Sequence, residues 1–204
     1  MFAVLAIKSV VPSLAVTVVA VGVGVFTFIQ TVTAKAVPWI SGYREAADFV
    51  AARAPKESVV LFSGYRDGSF IFNLRTHEDR RDLSVLRADK MLLKLAIRRS
   101  LGVEERAVTE AGIREMIRKY GVEFVVAQRD FWTDLKPMAD LQKVLDSDQF
   151  EEVARIPAEA NIPHDDTELR IYRNRQPVAK GEILLSVDLP TIGRSLTGVL
   201  RRSH

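Results

Sequence analysis

Between Lys8 and Lys35 the chain carries no charged side chain, and the stretch from Val10 to Gln30 reads VVPSLAVTVVAVGVGVFTFIQ. A helix needs about 20 apolar residues to cross a bilayer. Pro12, Gly22 and Gly24 do not oppose this, since both residue types are commoner in membrane helices than in soluble ones. Trp39 and Tyr43 follow the run, where an interfacial aromatic belt would sit. A buried soluble helix rarely stays apolar on every face for this length. A secretory signal peptide is the other reading. Ala34-Lys35-Ala36 has the small-x-small form of a cleavage site, but the apolar run exceeds the roughly 7–15 residues of a signal core. The expectation is a retained span within a segment 1–40, then a soluble domain over 41–190 and a C-terminal tail over 191–204.

Residues 1–40 hold two lysines and no acid, so the formal charge of +3 leaves the remainder with 27 basic and 26 acidic residues. That balance provides no basic face, and nucleic acid is not an expected partner. With no Cys among the 204 residues, disulfide scaffolds, thiol nucleophiles and Cys-based zinc sites are excluded. Orientation is divided. Lys35 and Arg44 beyond the run outnumber Lys8 before it, which favours a cytoplasmic domain, yet long domains translocate despite such charges.

Past residue 40 the apolar periodicity alternates between helix and strand. Tyr43, Ala46, Ala47, Val50, Ala51 and Ala54 share one helical face, and Pro55 ends it. Ser58–Phe62 is a short continuous apolar run, as in a strand buried on both faces. Phe70, Ile71 and Leu74 open a segment that fits either helix or strand. Leu83–Leu86 reads as a strand and Leu92–Leu101 as a helix. Thr109 caps a helix facing inward through Ile113, Met116, Ile117 and Tyr120, with Gly121 just past its end. Val122–Ala127 is a strand, and Pro137 suits the first turn of a further helix. Phe150–Ile156, Leu169–Arg173 and Ile183–Leu189 are strands. The pattern predicts a small layered α/β domain whose mixed sheet ends in antiparallel strands. The loop 157–167 is the expected mobile segment.

Catalytic motifs are sparse. His77, His164 and His204 are dispersed, and His164-Asp165-Asp166 is a weak metal candidate beside the plainer reading of a solvated acidic turn. There is no Gly-x-Ser-x-Gly elbow and no phosphate loop, and Gly22-Val23-Gly24 lies inside the apolar run, so no nucleotide or other cofactor is expected. The run Arg75–Asp82 offers either a phosphate or sugar site or a loop of locally paired charges. Arg201-Arg202 is either a contact for anionic lipid or a frayed end. The favoured binding site is the turn Gly64, Tyr65, Arg66, Asp67, with Arg87, Asp89 and Lys90. Both segments follow strands, and ligands gather at the carboxyl ends of strands in open α/β sheets. The rival is that Asp67, Arg87 and Asp89 only pair with one another.

An apolar span is followed by GYREAADFV at 42–50, SVVLF at 58–62, DGSFIF at 67–72, VLRADK at 85–90 and YGVEFVV at 120–126. This order, over about residues 10–190, resembles the C-terminal part of bacterial dolichyl-phosphate-mannose-protein mannosyltransferase-like glycosyltransferases. Those proteins carry many membrane helices and a small soluble α/β domain after the last. The resemblance implies a Rossmann-like domain on the outer side of the inner membrane, acting beside a multi-span glycosyltransferase subunit and a polyprenyl-phosphate sugar. The family's acidic catalytic residue lies in its first outward loop. This chain has no such loop, so no catalytic residue carries over. The expectation is an accessory domain, a fragment or split subunit inactive alone. The alternative is a stand-alone anchored binding or scaffold domain, and a small Rossmann-like enzyme comes third.

Overall fold

The computed structural model describes residues 2–33, 37–95, 99–164, 167–177, 183–189 and 194–200. It divides into two compact units, Met1–Pro38 and Trp39–His204.

The first unit is helix α1, Phe2–Thr33. Its Leu14–Thr33 portion has mean hydropathy 2.0 over 20 residues and no buried share, which is long and apolar enough to cross a membrane. Leu14, Val16, Val19, Phe26, Phe28 and Ile29, which point in different directions around the axis, are all exposed, so the apolar surface runs around the helix instead of forming one stripe. Three of its threonine hydroxyls bond back onto the helix backbone. Thr27 and Thr31 donate to the carbonyls of Val23 and Thr27, each at 2.8 Å, and Thr33 donates to Ile29 at 2.7 Å. Such back-bonding removes the polar groups a hydrocarbon medium would penalise. The candidate cleavage site at 34–36 lies outside the described residues.

The second unit is α/β with a mixed sheet of five strands. Helix α2 spans Tyr43–Arg53 and strand β1 Val59–Ser63. Helix α3 is Asp67–Arg75, which resolves the Phe70–Leu74 segment as helix. Strand β2 is Ser84–Arg87 and α4 is Ala88–Leu92. A small antiparallel pair follows, β3 (Leu93–Leu95) with β4 (Val103–Glu105). Then come α5 (Glu110–Tyr120), β5 (Val122–Ala127), α6 (Lys136–Leu145), β6 (Phe150–Pro157) and β7 (Glu168–Asn174). The main sheet has the order β2-β1-β5-β7-β6. β1 is parallel to both β2 and β5, whereas β7 runs antiparallel to β5 and β6.

Alternation along the strands feeds two cores. Val60, Phe62, Phe124, Val126, Leu169 and Ile171 face α2 and α3. Leu61, Val125, Ala127 and Tyr172 face α4, α5 and α6. β1 is buried along its whole length, which explains its continuous apolar run. Helix α5 has the expected ends. Thr109 Oγ1 accepts from Gly112 N–H at 3.2 Å, worth about 1 kcal/mol, and Gly121 stands at φ 54°.

Four expectations are corrected. Leu92–Leu101 is not one helix. Leu92 closes α4, and Leu93-Lys94-Leu95 alternates as a strand, with Leu93 buried and Lys94 ion-paired to Glu104 at 2.8 Å across the β3–β4 pair. Ala96 and Ile97, assigned to that helix, lie outside the described residues. The Ile183–Leu189 strand, β8, does not join the main sheet. It pairs with β9, Arg194–Leu200, a strand in the segment expected to be tail. The loop 157–167 is tied down over its first half. Ile40 bridges to Ala160, Ser41 N–H donates to Glu159 at 2.8 Å, and Trp39 N–H donates to Asn161 Oδ1 at 2.8 Å. Asp165, Asp166, Arg201 and Arg202 lie outside the described residues.

Candidate functional site

Strand order reverses around β1, since β2 lies on one side of it and β5 on the other. In open α/β sheets the crevice beyond the carboxyl ends of such strands is the favoured ligand position. Here the turn after β1 meets the turn after β5. Gln128 N–H donates to the carbonyl of Ser63 at 2.8 Å, and Gln128 Oε1 accepts from Tyr65 N–H at 2.7 Å. A cleft of about 110 Å³ opens there, lined by Tyr65, Gln128, Arg129, Asp130, Thr167, Glu168 and Arg170.

Its polar groups are partly committed. Arg129 is bound to Asp146 at 3.0 Å. Arg170 is bound by Glu168 through its Nε at 2.5 Å, and lies 3.6 Å from Glu152. Burial pulls the Arg170 pKa down, but Glu168 and Tyr172 together outweigh this and the net shift is upward. Both arginines therefore serve first as partners of the protein's own carboxylates. Tyr65 meets Phe131 edge-on at 4.9 Å, and Phe131 stacks on Trp132 at 4.6 Å. Trp132 has φ 53°, a left-handed conformation uncommon for a bulky residue. Asp134 raises the pKa of Arg99, whose guanidinium lies 5.5 Å from the Trp132 ring.

Gln128 is 3% exposed, and its Nε2 has no hydrogen-bond partner among the described residues. The amide orientation is set by the Tyr65 N–H, which requires the oxygen. Ser63 Oγ, at the end of β1, is likewise buried and unpartnered. An unsatisfied buried donor costs about 1–3 kcal/mol, so each such group calls for an explanation.

The residues expected from the sequence divide among three places. Tyr65 lines the cleft. Arg66 precedes α3, and its carbonyl accepts from Ser69 and Phe70 N–H. Arg87 lies 2.8 Å from both Asp67 and Asp89, with Asp89 buried. One guanidinium thus joins the end of β2 to the starts of α3 and α4. Lys90 lines a different groove of about 290 Å³ with Met91, Arg106, Lys119 and Tyr120. Gly64 sits between the two turns, its backbone close against Gln128.

The charged run Arg75–Asp82 binds the protein itself. Arg80 donates to the carbonyls of Ala51 and Ala54 at the end of α2, and Arg75 donates to Leu83 at 3.0 Å. His77 Nε2 contacts Asp48 at 2.8 Å. Each His164 ring nitrogen lies 3.1 Å from a backbone carbonyl, of Ile162 or Ala158. Among the described residues no three His, Cys, Asp or Glu side chains gather as metal ligands.

Sequence reasoning missed Gln128, Arg129 and Asp130. The rule that singled out Gly64–Asp67, the residues just after a buried strand, names them when it is applied to Val122–Ala127. Comparison with models of known protein families, with curated proteins and with solved structures finds no match.

Proposed function

We propose that this chain is a membrane-anchored accessory domain of a polyprenyl-phosphate-sugar-dependent glycosyltransferase. Its Rossmann-like α/β unit stands on the extracytoplasmic side of the inner membrane and contributes no catalytic loop. The observation that carries the reading is α1, with its 20-residue apolar stretch and back-bonded threonine hydroxyls, ahead of an α/β unit. The motif order GYREAADFV, SVVLF, DGSFIF, VLRADK, YGVEFVV adds the resemblance to the glycosyltransferase tails. The carboxylates near the sheet's carboxyl edge fit an accessory role, since Asp67, Asp89 and Glu168 are each bound to an arginine.

The test is in-membrane crosslinking of the tagged full chain, followed by mass spectrometry and assay. The expected partner is a multi-span protein that transfers sugar from a polyprenyl phosphate only when both are present. Transfer by this chain alone overturns the accessory role. A reporter fused after His204 should report export, and activity of a cytoplasm-only reporter would contradict the orientation.

The cleft at Gln128 favours a second reading, a stand-alone anchored binding domain. That reading predicts ligand binding by the isolated full chain and no glycosyltransferase among its crosslinked neighbours.

A further inference from the structure

The sequence pairs Trp39 with Tyr43 as an interfacial aromatic belt, and the structure separates them. Tyr43 is 2% exposed and belongs to the core beside α2 and α3, whereas Trp39 is 50% exposed. A second outward aromatic comes from elsewhere in the chain. Phe72, on α3, is 70% exposed. It lines a surface groove of about 510 Å³ with Ile40, Arg44 and Gly68, where the start of α2 meets α3. Exposed apolar side chains gathered on one surface mark a contact.

The reach of the chain identifies what covers this groove. Trp39 N–H donates to Asn161 Oδ1, and Ile40 bridges to Ala160, so the folded unit begins at Trp39. Helix α1 ends at Thr33. The connection between these two residues spans at most about 20 Å at full extension. The lipid headgroup layer takes up about 5–8 Å of that, and a domain of this size is roughly 40 Å wide. The surface around Trp39 and Ile40 is therefore the part of the domain held nearest the bilayer.

The side chains suit a headgroup layer. An indole and a phenyl ring favour the boundary between water and acyl chains. Arg44, its side chain 79% exposed, is open to a lipid phosphate, but Asp48 stands 4.0 Å from it and Glu45 lines the same groove. Charge is thus nearly balanced, and apolar burial carries the contact. So small a patch holds a free protein weakly, but a short tether raises its effective concentration to the order of millimolar.

We propose that this groove, with Phe72 and the Trp39–Ile40 segment, docks on the headgroup layer of the bilayer that α1 spans. The proposal rests on the anchoring of α1 and is independent of any glycosyltransferase partner.

The chain has no Cys, and a Cβ at Gly68 would meet nothing within 4 Å. Gly68→Cys therefore gives a single labelling site in the groove, one helical turn from Phe72. Ala111→Cys, exposed on α5, is the control, since α5 packs on the other face of the sheet. Each full-length variant is labelled with bimane and reconstituted in phosphatidylcholine vesicles with or without a headgroup nitroxide. The nitroxide should quench the label at Gly68→Cys at least threefold more than at Ala111→Cys. Adding Trp39→Ser and Phe72→Ser should remove that difference without changing the melting temperature, because both side chains are exposed. Arg44→Gln should leave most of it. Equal quenching at the two positions, or a difference that survives loss of both aromatics, overturns the docking and leaves the anchor standing. A chain that does not float with the vesicles removes the anchor and the docking together. Bismaleimide crosslinking of two copies through Gly68→Cys, in place of the quenching difference, assigns the groove to a second copy and overturns the docking as well.

Discussion

The backbone N–H of Tyr65 donates to Gln128 Oε1 at 2.7 Å, so the turn after β1 is latched to the turn after β5 by one side chain. Gly64 makes the approach feasible. A Cβ there would lie 2.5 Å from Gln128 Oε1 and 3.0 Å from the Phe62 ring. Neither neighbour yields freely, because Gln128 is buried and Phe62 stacks on Phe70 at 5.0 Å. Gly64→Ala should therefore break the latch and cost about 1–3 kcal/mol. Thermal melting of the full chain should show a fall of roughly 3–10 °C. An unchanged melting temperature would show that the turn has slack.

Gly42 should be less tolerant still. It opens α2 at φ 90°, and a Cβ there would stand 2.6 Å from the carbonyl oxygen of Pro157. The obstacle is backbone, and the conformation is itself unfavourable for other residues. Gly42→Ala is expected to cost about 2–4 kcal/mol, more than Gly64→Ala. Glu45 accepts from Gly42 N–H at 2.9 Å, so Glu45→Ala should cost a further but smaller amount, about 0.5–1 kcal/mol. Paired melts of the three variants check the ranking.

What the sequence revealed follows from how local each signal is. Val59–Phe62 is legible because a strand buried on both faces has almost only apolar positions. Helix α5 is legible because Thr109 and Gly121 mark its ends with their own chemistry. Leu92–Leu101 is not, because its leucines satisfy helical and strand spacing alike. The partner that selects the strand, Val103–Glu105, stands beyond the next turn. The run Arg75–Asp82 pairs partly within itself, Arg80 with Asp82 and Arg81 with Glu78, as its mixed charges suggest, but that Arg80 also holds the carbonyls of Ala51 and Ala54, more than 20 residues earlier, is not visible in the run. Arg87 with Asp67 and Asp89 is visible as a charge pattern, but only the fold shows the three joined. Gln128 has no distinctive neighbour in sequence, and its importance appears only when Tyr65 is placed beside it.

Helix α1 should remain in the membrane. Alkaline carbonate washing should leave the full chain in the pellet, whereas a released product beginning near Val37 would establish signal cleavage. Val21 lies near the middle of the Leu14–Thr33 stretch. Val21→Lys places a charge there at about 2.5–3.5 kcal/mol on insertion scales and should enlarge the carbonate-soluble fraction. Val21→Leu should not.

The acid limb of stability should depend on Asp82. Burial pulls its pKa upward, but the Glu57 N–H and the Arg80 guanidinium together outweigh that pull. The carboxyl is held below its ordinary value. A carboxylate easier to ionise when folded contributes its stability in full above the ordinary value of about 3.9. That contribution is lost as pH falls through the lowered folded value. Asp82→Asn should therefore reduce stability at neutral pH and flatten the loss on acidification. Arg80, its side chain 15% exposed, also donates to the carbonyls of Ala51, Ala54 and Pro55. Arg80→Ala takes the guanidinium away from the Ala51 and Ala54 carbonyls and from Asp82, which keeps only the Glu57 N–H, and should cost about 2–3 kcal/mol. Arg80→Lys should recover only part of this, because one ammonium cannot match the guanidinium fork. Denaturant melts from pH 3 to 7 on the three variants decide it. An acid limb as steep in Asp82→Asn as in the parent would assign that limb to other carboxylates.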